Sequence, residues 1–540
     1  MRTLFIRVLD DVSITSQDTT FGVLDDLFQK LKYIRALHLS QICITRLPDS
    51  LGNIKLLRYL SIKDHEIQSL PEFVCSLYNL QTLDLTDTNI SVLPSQIGNL
   101  INLRHLLVPL PRSVLLPRQF RNLINPHPHY LSLPSQLAFL PPGIGKLTNL
   151  QTLTHFNVSD EKEHCDIGEL NSLMKLGGHI LIYLSTHEDR FSNSKPPLKT
   201  KKFLDSLDLH WGKDGFDSLT DRNQAEWQLK YLEPHVNLKT LKITHYPGVR
   251  FVGWVGASSF TKLTHLVLQN CCYKCNKLPP LGQLPSLEEL VISSMNGIRH
   301  VGREFCSMLM ASPSSSQNKI AFPSLKRLVF DSMENWESWD GVEIGDFPVL
   351  HFIEISKCSK LIKFPLMYYV KEMRIRGCGA LDVPILHSVT NLHIDVRTQE
   401  REWMSKCHFP TLRHLTLNSK VQIVHLSQKR LPSLKILKIG SSIELWVVMG
   451  LKNLTSLNSL IIEDCPNLKF KKLPATLQQQ QVKLDRCPLF EKEFKEQQHM
   501  PILGEEEEEE EELKLLELRL GNYGEEKGEG IKASGVTTLE

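Results

Sequence analysis

The residues with most chemical potential in this 540-residue chain are its 12 cysteines, above all Cys271-Cys272-Tyr-Lys-Cys275, which contains one C-x-x-C pair. A structural zinc site needs four ligands, usually two such pairs or one pair with spaced histidines, and no second pair with that spacing follows. No metal is expected. Five cysteines instead share one recurring place, three residues beyond the last apolar position of a short strand: Cys271 after Leu268, Cys358 after Ile355, Cys378 after Ile375, Cys465 after Ile462 and Cys487 after Leu484. Thr88 stands in the same place earlier on, so the position reads as a small residue where the backbone turns in from the strand. Gly145-Lys146 superficially matches the end of a phosphate-binding loop. Leu140 stands where a fixed-turn glycine belongs and Leu147 where a magnesium-binding hydroxyl belongs, so no nucleotide or other cofactor is expected. The chain contains neither H-E-x-x-H nor G-x-S-x-G, and no Cys/His pair can be inferred to lie close, so it reads as a non-enzyme with no catalytic residue. Asn89-Ile-Ser91, Asn157-Val-Ser159 and Asn453-Leu-Thr455 fit the glycosylation sequon, which is idle without secretion.

What must position any functional residue is a ruler. From Ile34 to Leu103 the chain repeats at an unbroken period of 23 residues: Leu37, Leu60, Leu83 and Leu106; Leu39, Ile62, Leu85 and Val108; Ile44, Ile67 and Ile90; Leu47-Pro48, Leu70-Pro71 and Leu93-Pro94. This is a leucine-rich repeat, in which one short strand and a return segment make one coil. In Leu37-His38-Leu39 the leucines point to one side of a strand and His38 to the other. The proline after the fourth leucine stops the chain from continuing as strand or helix. One coil cannot bury this apolar surface alone, but stacked coils can. The expected fold is therefore an α/β leucine-rich-repeat solenoid: a curved horseshoe with a parallel inner sheet and irregular or short helical convex returns.

The spacing divides the chain into an entry segment or cap (1–30), regular repeats (31–158), an irregular connector (159–202), looser repeats (203–490) and a tail (491–540). Leu140 to Leu150 restates Leu93 to Leu103 at an offset of 47, two periods plus one, with a degenerate proline-rich coil expected between. In the connector only His179–Leu184 reads as strand, and Ser185–Lys202 reads as exposed. The formal charge of +2 hides an asymmetry: residues 491–540 carry 16 acidic and 6 basic residues, leaving 44 acidic and 56 basic in residues 1–490. The body's cations are scattered without clusters or a stacking motif, so nucleic acid is not an expected partner. Glu505–Glu512 is a run of eight like charges, expected to stay solvated and disordered, and Leu513–Leu520 is expected to form a short helix or strand. The start, Met1-Arg-Thr-Leu-Phe-Ile-Arg, has too short an apolar run for a secretory signal, and no stretch of 18 apolar residues exists. A cytoplasmic or nucleocytoplasmic location without membrane contact is expected.

Several phrases go beyond a generic repeat: Leu93-Pro-Ser-Gln-Ile-Gly-Asn-Leu-Ile-Asn-Leu-Arg-His-Leu106, Pro142-Gly-Ile-Gly-Lys-Leu-Thr-Asn-Leu-Gln-Thr-Leu153, Leu278-Pro-Pro-Leu-Gly-Gln-Leu-Pro-Ser-Leu-Glu-Glu-Leu290, Phe322-Pro-Ser-Leu325 with Met333-Glu-Asn-Trp336, and Cys465-Pro-Asn-Leu468. Together they resemble the C-terminal region of plant coiled-coil nucleotide-binding leucine-rich-repeat disease-resistance proteins, over roughly residues 1–490. The resemblance implies an intracellular immune sensor whose repeats recognise a pathogen effector or a guarded host protein and restrain a nucleotide-binding domain in cis or trans. Upstream switch motifs are missing and Phe251-Val-Gly-Trp254 departs from the family's usual phrase, so a truncated recognition module is expected. The alternatives are an extracellular repeat receptor or inhibitor, which would need a signal peptide and cysteine-paired caps, and a ubiquitin-ligase substrate adaptor, which would need a ligase-docking domain.

The expected binding surface is the concave face, built from the middle residue of each L-x-L core and the one or two residues after it. In the first coils it carries His38, Ser40, Lys63, Asp64, Asp84 and Asp87. Farther along it carries Lys242, Thr244, His245, Gln269, Glu354, Lys357, Arg374, Arg376, Asp395 and Lys438. The set is mixed and increasingly basic toward the C-terminal half, where a protein partner is expected.

Overall fold

The computed structural model describes residues 2–497, apart from 8–16, 43, 110–138, 159–162, 185–194, 213–218, 273–274, 307–319, 379–380, 382–386, 397–407, 420–422, 470–472, 475–476 and 478–480. The acidic run and the apolar segment after it lie outside the described residues.

Every strand pairing is parallel, as the repeat requires. The first sheet stacks β1 (Thr3–Arg7), β2 (Ala36–Ser40), β3 (Tyr59–Lys63), β4 (Thr82–Asp84), β5 (His105–Leu107) and β6 (Thr152–Leu153) in chain order. The second begins two residues later with β7 (His155–Val158) and runs through β8 (Gly177–Leu184), β9 (Phe203–Trp211), β10 (Thr240–Thr244), β11 (His265–Gln269) and β12 (Glu289–Ser293). It continues, around a short strand β13 (His300–Val301), with β14 (Arg327–Asp331); then, around β15 (Ser338–Trp339), with β16 (Phe352–Ser356), β17 (Glu372–Arg376), β18 (Asn391–Val396) and β19 (His414–Ser419). Around β20 (Ile423–His425) and β22 (Val447–Met449) it ends with β21 (Ile436–Gly440), β23 (Ser459–Glu463) and β24 (Val482–Asp485). β13 pairs with β15 and β20 with β22 as small ladders on the returns. The two main sheets meet at Thr154, whose hydroxyl donates to Val108 O (3.0 Å) and accepts from Val108 N (2.9 Å), while its carbonyl accepts from Leu181 N.

The inward residues Leu37, Leu60, Leu83 and Leu106 stand directly opposite one another across neighbouring strands, which is the 23-residue ruler written in space. All are fully buried. The 47-residue offset has a different origin from the one expected: β5 pairs directly with β6, His105 opposite Thr152 and Leu106 opposite Leu153, so no strand of a degenerate coil stands between them. Residues 110–138 lie outside the described part.

Three expected boundaries also shift. The entry segment is a coil of the solenoid itself, because β1 pairs in register with β2 and helix α1 (Gln17–Lys30) buries Leu24 and Phe28 as its return. At the end of the connector, Leu198 and Lys201 are fully buried rather than exposed, with Lys201 Nζ donating to Asn171 O at 3.4 Å. The boundary at 490 falls within helix α4 (Pro488–Gln497), where Phe490 is buried and Phe494 packs against the core. Between these ends lie α2 (Leu219–Tyr231), which lengthens the return from β9 to β10, and the single turn α3 (Arg303–Cys306).

The repeat phrases acquire physical meanings. An Asn of N-L or a Ser of S-L clamps neighbouring coils at several places: Asn79 donates to Lys55 O (2.9 Å), Asn102 to Tyr78 O (2.7 Å), Asn149 to Ile101 O (3.0 Å), Ser286 to Thr261 O (2.7 Å) and Ser324 to Pro285 O (2.7 Å). Gly282 of Leu281-Gly-Gln is a close-approach position, since a Cβ there would lie 2.2 Å from Cys306 O. The Trp of Met333-Glu-Asn-Trp336 joins Phe305, Phe322, Phe330, Trp339 and Phe347 in a fully or almost fully buried aromatic core.

The candidate protein-interaction face

The buried thiols are structural in geometry. Cys271 Sγ donates to Ile243 O and Gln269 O at 3.3 Å, Cys358 to Ser356 O at 3.3 Å, and Cys487 to Asp485 O at 3.2 Å. Burial pushes the Cys271 thiol up to about 12 and that of Cys465 up to about 11, away from reactive thiolate. The position does not demand a small residue, because Tyr246, Met295 and Met333 occupy it after Ile243, Ile292 and Phe330 and are fully buried. Among the described residues no group of three or more His, Cys, Asp or Glu could hold a metal ion.

Alternation places the middle residue of each strand on the outer side of the sheet, and the register stacks these residues in rows. In the first coils His38 stands opposite Ser61 and Ser61 opposite Asp84. Ser61 Oγ donates to Asp84 Oδ2 at 3.1 Å, and Thr86 N and Oγ1 donate to Asp84 Oδ1 at 3.1 and 2.8 Å. Asp64 is buried and accepts from Glu66 N at 3.0 Å. Lys63 reaches Asp87 at 3.0 Å; burial opposes its charge most, but Asp87, Asp84 and Tyr59 together leave its pKa raised. His38 is held below its usual value by partial burial and by the nearby Lys63 charge. Lys63 and Asp87 are spent on each other, Asp64 accepts from the backbone of its own coil, and Asp84 accepts from its own coil and from Ser61 of the coil before it.

The middle of the face is closed. Lys242 lies between Asp208 and Val267 in its row and is only 4% exposed; burial lowers its pKa despite Asp208. Tyr183, His210 and His245 form a row of rings with centroids 4.9 Å apart at each step, the first pair stacked and the second tilted by 56°. Gln269 is half-buried, and Val267, Val291 and Val329 form a small second core on the outer side of the sheet, flanked by Phe352. Expected contact residues such as Lys242 and Thr244 are therefore walled in by their neighbours.

From β14 to β23 the face becomes a ladder of ion pairs. Glu354, 5% exposed, lies 3.3 Å from Arg376 and 3.7 Å from Arg327. Arg327 and Arg374 hold their guanidinium carbons 4.0 and 5.0 Å from the Phe352 ring centroid, and Arg374 pairs with Glu372 at 2.7 Å. Burial depresses the Arg327 pKa against the pull of Glu289 and Glu354. Asp395 accepts from Asn418 Nδ2 at 2.9 Å and lies 3.6 Å from His393; burial opposes its charge, yet these contacts leave its pKa lowered. Lys438 pairs with Glu463 at 2.7 Å. The rising basicity expected here is thus met coil by coil: Arg374, Arg376 and Lys438 each have an acid alongside. Lys357 differs, standing exposed just past its strand at φ 53°.

The sequence reading overlooked Arg327, Phe352 and Glu372. Each precedes the first inward residue of its strand, and period-2 alternation puts that position on the same side as the middle residue. The signal was available in Arg327-Leu-Val-Phe and Phe352-Ile-Glu-Ile.

Comparison with known proteins agrees with this architecture. A family described as R13L1/DRL21 LRRs matches residues 167–295, and one described as a leucine-rich repeat region matches residues 13–127. The putative disease resistance RPP13-like protein 1 of Arabidopsis thaliana is 31% identical over 335 residues, covering 59% of this chain and 30% of that protein. The putative disease resistance protein RGA4 of Solanum bulbocastanum is 32% identical over 269 residues, covering 48% and 26%. The chain therefore spans less than a third of either relative. No helix among the described residues is long and apolar enough to cross a membrane. From the matching phrases, the parallel stack and these relatives, the chain is a leucine-rich-repeat solenoid similar to the repeat regions of plant disease-resistance proteins.

Proposed function

We propose that this chain is a non-enzymatic recognition module of plant defence that acts inside the cell and binds a protein on the concave face of its C-terminal half. The partner is a pathogen effector or a guarded host protein, with the nucleotide-binding domain of a receptor as a second ligand in cis or trans. The observation that carries the reading is the ladder Arg327, Glu354, Arg376 with Phe352 between two guanidinium groups. Those side chains are already fixed by one another on a rigid sheet, so a partner need not bear the cost of ordering them. Such charges set encounter rate and partner choice more than final affinity.

A photo-cross-linking amino acid tests the surface even while the partner is unidentified. Placed at Lys357 or Thr416 of the concave side it should capture one protein from infected leaf tissue; placed at Gln283 or Lys452 of the returns it should not. Capture from the return positions alone would overturn the reading. Charge reversal of Arg374 and Arg376 is the poorer test, because each new carboxylate would face Glu372 or Glu354 and disturb the fold.

A further inference from the structure

Along the edge where the strands begin, the residue two before each inward apolar residue forms a rim. In the earlier coils of the second sheet this rim neutralises itself between neighbours: Lys239 Nζ lies 2.8 Å from Asp205 and Lys326 Nζ lies 2.8 Å from Glu288. Farther on the same positions read His351, Lys371, Thr390, Arg413, Lys435 and Asn458, with no acid among them. Lys371, Arg413 and Lys435 are exposed and, among the described residues, have no ion-pair partner. The acid missing from this rim is concentrated elsewhere in the chain. The 43 residues after Gln497 carry 13 acidic and 4 basic residues, and eight of the acids form Glu505–Glu512.

We propose that Glu505–Glu512 docks along the rim of Lys371, Arg413 and Lys435 as a built-in acidic ligand of the solenoid. The dimensions fit. With neighbouring strands about 4.8 Å apart, the three steps from β17 to β21 span about 14 Å, and β24, which leads into α4, lies about 10 Å beyond. The chain between Gln497 and Glu505 reaches about 25 Å when extended, and the eight glutamates cover about 27 Å. Tethering makes the contact intramolecular, so weak individual pairs act at high effective concentration. Because the charges are exposed, salt screens the contact. An acidic partner reaching this edge of the face would have to displace the run.

Zero-length carbodiimide coupling of the full chain, followed by peptide mapping, tests this directly. Links from Glu505–Glu512 to Lys371 and Lys435 are expected, with a yield independent of protein concentration and reduced about tenfold or more by half-molar salt. Combining Lys371→Glu, Arg413→Glu and Lys435→Glu should abolish them, and adding Glu→Lys across 505–512 should restore links in the swapped sense. Equal linking to Lys239 and Lys326, links between molecules only, salt-insensitive yield or no linking of the run would each overturn the proposal.

Discussion

The coils of the first sheet and those of the second stack with the same inward leucines but turn the corner after the strand differently. Beyond β9 a left-handed residue follows strand after strand: His245, Asn270, Ser294, Ser332, Lys357, Gly377, Ser441, Asp464 and Arg486 have φ between 49° and 64°. Most donate their backbone N–H to the next strand's last carbonyl, as His245 does to Gln269 O and Ser332 to Ser356 O. Among the described residues of the first sheet only Gln41 combines a left-handed backbone with this bond, and at the corners after β3 and β4 Asp64 and Asp84 accept from backbone N–H groups two residues on. Strain at a repeated corner costs about 1–2 kcal/mol per non-glycine residue. Coil length varies in both sheets: inward positions are 23 residues apart in the first coils but 47 apart from Leu106 to Leu153, and in the second sheet 38 apart from Leu290 to Leu328 and 20 apart from Ile353 to Met373, with one register shift, at Gly178/His179. The difference teaches that the strand and its corner set the stacking, while the return can grow or shrink.

Core truncations should break the comparison most strongly. Trp339→Ala empties a site shared with Phe305, Phe330, Phe347 and Phe364 and should cost about 3–5 kcal/mol, and Leu83→Ala should cost about 2–4. Since coils contact mainly their neighbours, hydrogen exchange should accelerate around β14–β17 for the first variant and around β3–β5 for the second. Uniform acceleration along the chain would show one cooperative unit.

The corners provide the next test. Asp64→Gly removes an acceptor and adds chain entropy, for an expected loss of about 1.5 kcal/mol in denaturant unfolding. Ser332→Gly relieves a left-handed backbone and should raise stability by about 0.5 kcal/mol. The same sign for both would mean that the corners are equivalent.

The clamps should be alike in the two regions: Asn102→Ala and Ser324→Ala each lose one hydrogen bond and should cost about 1 kcal/mol. Smallest is a pH effect. The Asp395 carboxyl has a lowered pKa when folded, so its stabilisation is full above the unfolded value of about 4 and disappears as pH falls through the folded value. The stability difference between the protein and Asp395→Asn, well under 1 kcal/mol for a partly exposed pair, should vanish in strong acid.

The sequence made the stack legible wherever one apolar residue recurs at a fixed interval, because that periodicity is the core itself. It hid the corners, since Ser294, Lys357 and Asp464 share a backbone conformation but no side-chain chemistry. It also misjudged the face. Outward direction was readable from alternation, but whether Lys242 or Glu354 is accessible depends on neighbours 20 to 34 residues away that curvature brings against them. Spacing alone does not tell a further coil between Leu103 and Leu140 from an insertion, as two periods and an insertion have similar lengths; the direct pairing of β5 with β6 does.

The central claim is that a protein partner binds the concave side of the second sheet. Calorimetry of the captured partner against Thr416→Arg and Gln283→Arg tests it most directly, one placing bulk between His393 and Lys438 and the other on a return. A loss of about tenfold or more in affinity for Thr416→Arg alone, with both variants equally stable, is the predicted result. Unchanged affinity for Thr416→Arg together with loss for Gln283→Arg would contradict it.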